Sequence, residues 1–68
     1  MRKGTVKWFN SKKGYGFIQS ETDKKDVFIH VTSLQKSSLK RLVEGQEVNF
    51  DIYDDNGRPA AENIEIIN

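Results

Sequence analysis

The chain contains no cysteine, a single proline, a single histidine and a single tryptophan among 68 residues. Without cysteine there is neither a disulfide nor a thiolate metal site, as in many proteins of a reducing compartment. With His30 as the only histidine, no pair of imidazoles is available to hold a metal, and no serine or cysteine nucleophile stands in a catalytic motif. The acids Glu44, Glu47, Asp51, Asp54 and Asp55 are too scattered to suggest a catalytic carboxylate pair. No apolar run approaches the roughly 20 residues of a membrane span. The opening "MRKGTVKW" has no secretory core. These absences predict a soluble cytoplasmic protein that is not an enzyme, with no metal, no cofactor and no membrane partner.

Length sets a second limit. A chain of 68 residues forms one small domain, expected over residues 1–68 and as a monomer. A domain of this size buries only about 60% of the surface its unfolded chain exposes. The formal charge of +1 is uninformative, but its distribution is not. Residues 1–30 carry seven Lys/Arg against three acids, a balance of +4; residues 31–68 carry four against seven, a balance of −3. One surface is thus expected to attract polyanions while another repels them.

Five segments read as strands. "GTVKWFN" (4–10) is rich in β-branched and aromatic residues, "YGFIQ" (15–19) follows the turn cluster "SKKG", and "DVFIHV" (26–31) follows a polar loop. "QEVNFDIY" (46–53) alternates apolar and polar residues. "DDNG" (54–57) then marks a hairpin, because Asn-Gly supplies the positive φ angles of a type I′ turn. "PAAENIEII" (59–67) returns, with Pro59 at its start. The segment 32–45 lacks a clean helical period and reads either as one short helix or as a loop with a helical turn. Five short strands with little helix imply an all-β antiparallel barrel or sandwich; at this length a closed five-stranded antiparallel barrel is the economical form, since closure removes sheet edges.

Alternation divides the central hairpin into two faces. A register with Phe17 opposite Phe28, Tyr15 opposite His30 and Ile18 opposite Val27 puts four rings on one side. It leaves Ile18, Val27 and Ile29 to join Val6, Val48, Phe50, Ile52 and Ile64 in a core. Burying His30 would demand a hydrogen-bond partner, so the aromatic face is expected to point outward. Strict alternation turns Trp8 inward and Phe9 outward; only a bulge or strong twist in the first strand would bring Trp8 to the ring face. Gly14 closes the loop in "KKGYGFIQ". Gly16 falls on the barrel side, where its missing side chain lets a bent strand pack tightly. The spacing Gly14-x-Gly16 is no dinucleotide loop, for the third glycine and the following helix are missing.

Exposed rings interleaved with lysines suit single-stranded nucleic acid. Unpaired bases stack on the rings at about 1–3 kcal/mol per base, and cations follow the phosphates. Duplex bases are already stacked and gain little from such a surface. "KGYGFI" (13–18) matches the first ribonucleoprotein motif and "VFIHV" (27–31) resembles the second. With "GTVKWFN" before them and "EGQEVNFDI" and "GRPAAENI" after, the whole chain resembles the bacterial cold-shock proteins. RNA-recognition motif domains share "KGYGF" but need two packed helices that this length does not accommodate.

The resemblance implies an OB-fold barrel that binds single-stranded RNA and single-stranded DNA and acts as an RNA chaperone in cold adaptation. It implies that Trp8 joins Tyr15, Phe17, Phe28 and His30 in stacking bases, with Phe9 packed beside them. Lys7 and Lys13 would meet phosphates, and Asn10 and Asp26 base edges. Three positions depart from the family pattern. Val31 and Leu39 stand where aromatics are usual, and Arg58 follows Gly57 where a basic residue usually precedes the glycine. Each lost ring costs roughly 1–3 kcal/mol of stacking, so binding weaker than the family norm is expected. A protein-docking barrel is the competing reading, separable by its weak response to salt.

Overall fold

The computed structural model describes residues 1–67. Its strands are β1 (Arg2–Asn10), β2 (Tyr15–Ser20), β3 (Asp26–His30), β4 (Glu47–Asp55) and β5 (Arg58–Ile66), with one six-residue helix, α1 (Val31–Lys36), between β3 and β4. The strands close into a barrel in the order β1-β2-β3-β5-β4. The pairs β1–β2, β2–β3, β1–β4 and β4–β5 are antiparallel. The closing seam is the exception: β3 and β5 run parallel there, matched at Phe28 and Ala60.

Every strand boundary agrees with the sequence reading to within two residues, and the differences have physical causes. β1 begins at Arg2 because Arg2–Thr5 pair with Phe50–Glu47 of β4, a long-range contact that local propensity does not announce. Val31, expected at the end of the third strand, instead opens α1. The preceding His30 stays extended (φ −101°, ψ 151°) and caps the helix. Asn56 and Gly57 alone form the hairpin turn, with φ of 53° and 91°, so the flanking strands extend through Asp55 and Arg58. Positive φ at both central residues is the type I′ geometry, whose twist matches that of the strands.

Every residue expected in the core is there. Val6, Ile18, Val27, Ile29, Val48, Phe50 and Ile64 form the buried cluster, with Ile52 packed against it. Leu34, Leu42 and Ala61 complete it. The first two come from the aperiodic segment, which plugs the barrel as a helical turn and a loop rather than as a regular amphipathic helix. Phe50 is fully buried, and its truncation to alanine is worth about 3–5 kcal/mol.

Gly16 shows how tightly β1 crosses β2. A Cβ there would lie 2.3 Å from the Trp8 carbonyl oxygen and 2.7 Å from the Phe9 Cα. Only a residue without a side chain permits that approach.

Candidate functional site

The meander β1–β2–β3 carries the ring face, and a bulge in β1 completes it. Val6 pairs with Ile18, whereas Trp8 pairs with Phe17, so Lys7 is an extra residue in β1. The extra residue inverts the parity after Val6. Val6 stays in the core, Trp8 turns outward at 41% exposure, and Phe9 turns inward against the core over Gly16. Phe9 therefore does not point outward, as strict alternation would have it.

The β2–β3 register is the one read from the sequence: Tyr15 opposite His30, Phe17 opposite Phe28, Ile18 opposite Val27. The rings form a connected sheet. Trp8 contacts Tyr15 and Phe17, each with centroids 5.5 Å apart. Phe28 meets Tyr15 in a stacked pair and Phe17 edge-on, each at 5.8 Å, and His30 at 6.3 Å. Edge-to-face and offset contacts of this kind add about 0.5–1.5 kcal/mol per pair beyond area burial. They also fix the ring planes before any ligand arrives. Phe28 is the least open of the five, at 9% exposure, although it stands outside the core cluster.

The polar groups around the rings are largely engaged with each other. Lys7 Nζ lies 3.3 Å from Asp26 Oδ1, an exposed ion pair between the bulge of β1 and the start of β3. The Asn10 side-chain oxygen accepts the backbone N–H of Lys12 (3.0 Å) and of Lys13 (3.1 Å), which fixes the β1–β2 turn. Its amide nitrogen remains as a donor. Lys13 is exposed and forms no ion pair among the described residues. His30 Nδ1 accepts the Thr32 backbone N–H (3.2 Å) and lies 3.0 Å from Thr32 Oγ1. A nitrogen that accepts carries no proton, so in this arrangement Nε2 bears it.

The three departing positions have different fates. Arg58 reaches the ring cluster across the seam: its guanidinium carbon sits 3.9 Å above the Phe28 centroid, and Nη2 lies 3.6 Å from Asp55 Oδ2. Val31 is half-buried beside Gly14, its N–H donating to the Gly14 carbonyl at 2.8 Å. Leu39 packs against the core, held where its N–H donates to the Leu34 carbonyl. Sequence reasoning missed Asp55 as the partner of Arg58 and His30 as a helix cap. The first was signalled by the Asn-Gly turn, which sets Asp55 opposite Arg58. The second had no signal, because histidine is not a favoured cap residue.

A separate polar hollow lies between α1, β4 and β5, lined by Thr32, Ser33, Lys36, Tyr53, Glu62 and Asn63, and shares no residue with the ring cluster. Among the described residues no helix is long and apolar enough to cross a membrane, and no group of three or more His, Cys, Asp or Glu is placed to hold a metal ion.

Comparison with known proteins points in one direction. The model of the 'Cold-shock' DNA-binding domain family matches residues 2–67. The chain is 52% identical over 64 residues to the cold shock protein CspB of Bacillus caldolyticus, covering 94% of this chain and 96% of that protein. It is 51% identical over 65 residues to the cold shock-like protein CspC of Shigella flexneri, covering 96% and 94%. With the cold shock protein CspA of Rhizobium meliloti the identity is 47% over 66 residues, covering 94% and 96%.

Proposed function

The chain belongs to the 'Cold-shock' DNA-binding domain family, a nucleic-acid-binding and not an enzyme family, and from that premise we propose that it binds single-stranded RNA and DNA by stacking bases on its ring face. The observation that carries this reading is the continuous cluster of Trp8, Tyr15, Phe17, Phe28 and His30 across three adjacent strands. A row of adjacent rings offers successive faces and edges to unpaired bases, and stacking tolerates any sequence because every base has a π-face.

In this proposal Lys7 and Lys13 meet phosphates, and Asp26 and the free amide of Asn10 hydrogen-bond base edges. Arg58 and Val31 border the site. Leu39 contributes at most its half-exposed edge, since it packs against the core. The protein acts as an RNA chaperone in the cytoplasm, as a monomer of one domain. Trapping transiently open strands shifts the open–closed equilibrium of weak RNA structure by binding energy alone, with no ATP.

The test is a fluorescence titration of Trp8 with a short single-stranded oligonucleotide and with the matching duplex, at several salt concentrations. Quenching by the single strand alone is expected, weakening log-linearly with salt at a slope of about −0.7 per neutralised phosphate. No response by the folded protein, or a response only to another protein that is indifferent to salt, would refute the reading.

A further inference from the structure

Phe28 sits at the centre of the ring cluster, yet it is 9% exposed. Part of its cover is not a ring. The two-residue turn at Asn56–Gly57 starts β5 at Arg58, and Ala60 pairs with Phe28 across the seam. Arg58 and Ala60 are two apart, so both lie on the side of β5 that Phe28 occupies on β3. Ala60 is small and buried, which leaves Arg58 room to lean over it. The guanidinium thus comes to lie 3.9 Å above the ring centroid. Asp55, opposite Arg58 in the hairpin, holds its outer edge at 3.6 Å. A planar cation at that distance fills the place where a planar base would stack.

We propose that Arg58 is a built-in occupant of the Phe28 ring, so that a base reaches this position only by exchanging with the guanidinium. The inference rests on the nucleic-acid reading given above. The exchange sets a condition on the ligand. A displaced guanidinium loses its ring and its carboxylate, and a phosphate of the incoming strand can replace both. A charged strand therefore opens the position more readily than a neutral aromatic compound does. At low salt the phosphate contact offsets the exchange. At high salt the phosphate contact and the exposed Asp55 pair are both screened, while the guanidinium still lies against the Phe28 ring, so Arg58 acts against binding.

The experiment measures the affinity of an oligothymidylate of about seven nucleotides, within the site sizes known for such folds. Calorimetry compares the unaltered protein, Arg58→Ala, Phe28→Leu and the double variant, with folding of each verified by circular dichroism. Arg58 is exposed and its replacement leaves the core intact; leucine keeps the apolar bulk of Phe28 but removes the π-face. At about 1 M salt, where the screening length is about 3 Å, Arg58→Ala is expected to bind tighter by about two- to five-fold, the size of an exposed cation–π contact. In the Phe28→Leu background that gain disappears.

Equal or weaker binding by Arg58→Ala at high salt, alongside normal binding at low salt, overturns this inference and leaves the nucleic-acid reading intact. A gain that persists without the Phe28 ring overturns it as well. Failure of the unaltered protein to bind at any salt removes the underlying reading and the exchange with it.

Discussion

Replacing Gly16 by alanine adds one methyl group and tests why β1 and β2 meet as they do. The new Cβ would stand 2.3 Å from the Trp8 carbonyl oxygen and 2.7 Å from the Phe9 Cα, where ordinary contacts begin at 3.4 Å. The first contact alone requires about 1 Å of separation (3.4 − 2.3), and both named atoms are backbone, so no rotamer change relieves it. Forcing a methyl into a filled site costs about 1–3 kcal/mol, and strand backbone entropy returns about 0.5–1 kcal/mol of it. The net loss by this count is up to about 2.5 kcal/mol, centred a little above 1, and rises to about 3 where β1 lifts off β2. A domain of 68 residues has about 3–10 kcal/mol in total, so the loss is a large share. It corresponds to a fall in Tm of about 5–20 °C. The assay is thermal and urea unfolding followed by Trp8 emission, with Gly57→Ala as the control. Gly57 has φ 91°, and a Cβ there would meet nothing within 4 Å, so its replacement isolates backbone strain from collision. Stabilisation by Gly16→Ala, as an unobstructed strand glycine would give, refutes the steric account. For Gly16→Val the expectation is a greater loss of stability than of affinity in the molecules that remain folded.

Three further outcomes are expected. His30→Asn keeps an acceptor for the Thr32 N–H, so it should retain the stability that His30→Ala loses (about 0.5–2 kcal/mol for a cap) while still weakening oligonucleotide binding; chemical denaturation and titration of both variants separate cap from ring. Lys7→Gln should make the salt dependence of single-strand binding shallower by about 0.7 in slope, and an unchanged slope would mean that Lys7 stays with Asp26 in the complex. The Lys25 backbone N–H donated to Asp23 holds its carboxyl below the ordinary 3.8. Because the folded value is the lower one, the stabilisation is present above the unfolded value and is lost as pH falls through the folded one, which an NMR titration of the Asp23 carboxyl group checks against a peptide of the loop.

The two faces of β2 and β3 were legible because a strand has a period of two and both strands are regular. Ile18, Val27 and Ile29 are buried and Tyr15, Phe17 and His30 are not, as alternation requires; Phe28, expected to be open with them, is the exception, only 9% exposed under its neighbouring rings and Arg58. Strict alternation alone misplaces Trp8 and Phe9, and only the family resemblance puts Trp8 on the ring face, because Lys7 is an inserted residue and a single insertion reverses every side chain beyond it. Nothing local to "GTVKWFN" marks that position; the bulge lies between the Val6–Ile18 and Trp8–Phe17 pairs, just before β1 crosses over Gly16. Leu34 and Leu42 were unreadable for a different reason. Their burial is imposed by the barrel opening that they fill, and an irregular segment carries no period to reveal it. Arg58 reached the ring cluster although its sequence position is shifted, because the side chain is long and the Asn56–Gly57 turn is tight.

The seam between β3 and β5 has a consequence for how the molecule breathes. Its matched pair, Phe28 with Ala60, joins residues 32 positions apart, whereas β1, β2 and β3 are joined by short turns. Closing a long loop for a single matched pair is an unfavourable step of assembly, more so than the β1–β4 closure, which gains four pairs, and its reversal is an easy partial opening. Amide exchange at the start of β5 should therefore outrun exchange in the middle of β2. An excursion of this kind parts Arg58 from Phe28 while the meander holding Trp8, Tyr15 and Phe17 stays folded. The strands that carry the rings then keep their arrangement while their border with β5 opens, so the position under Arg58 is the part of the recognition surface that moves.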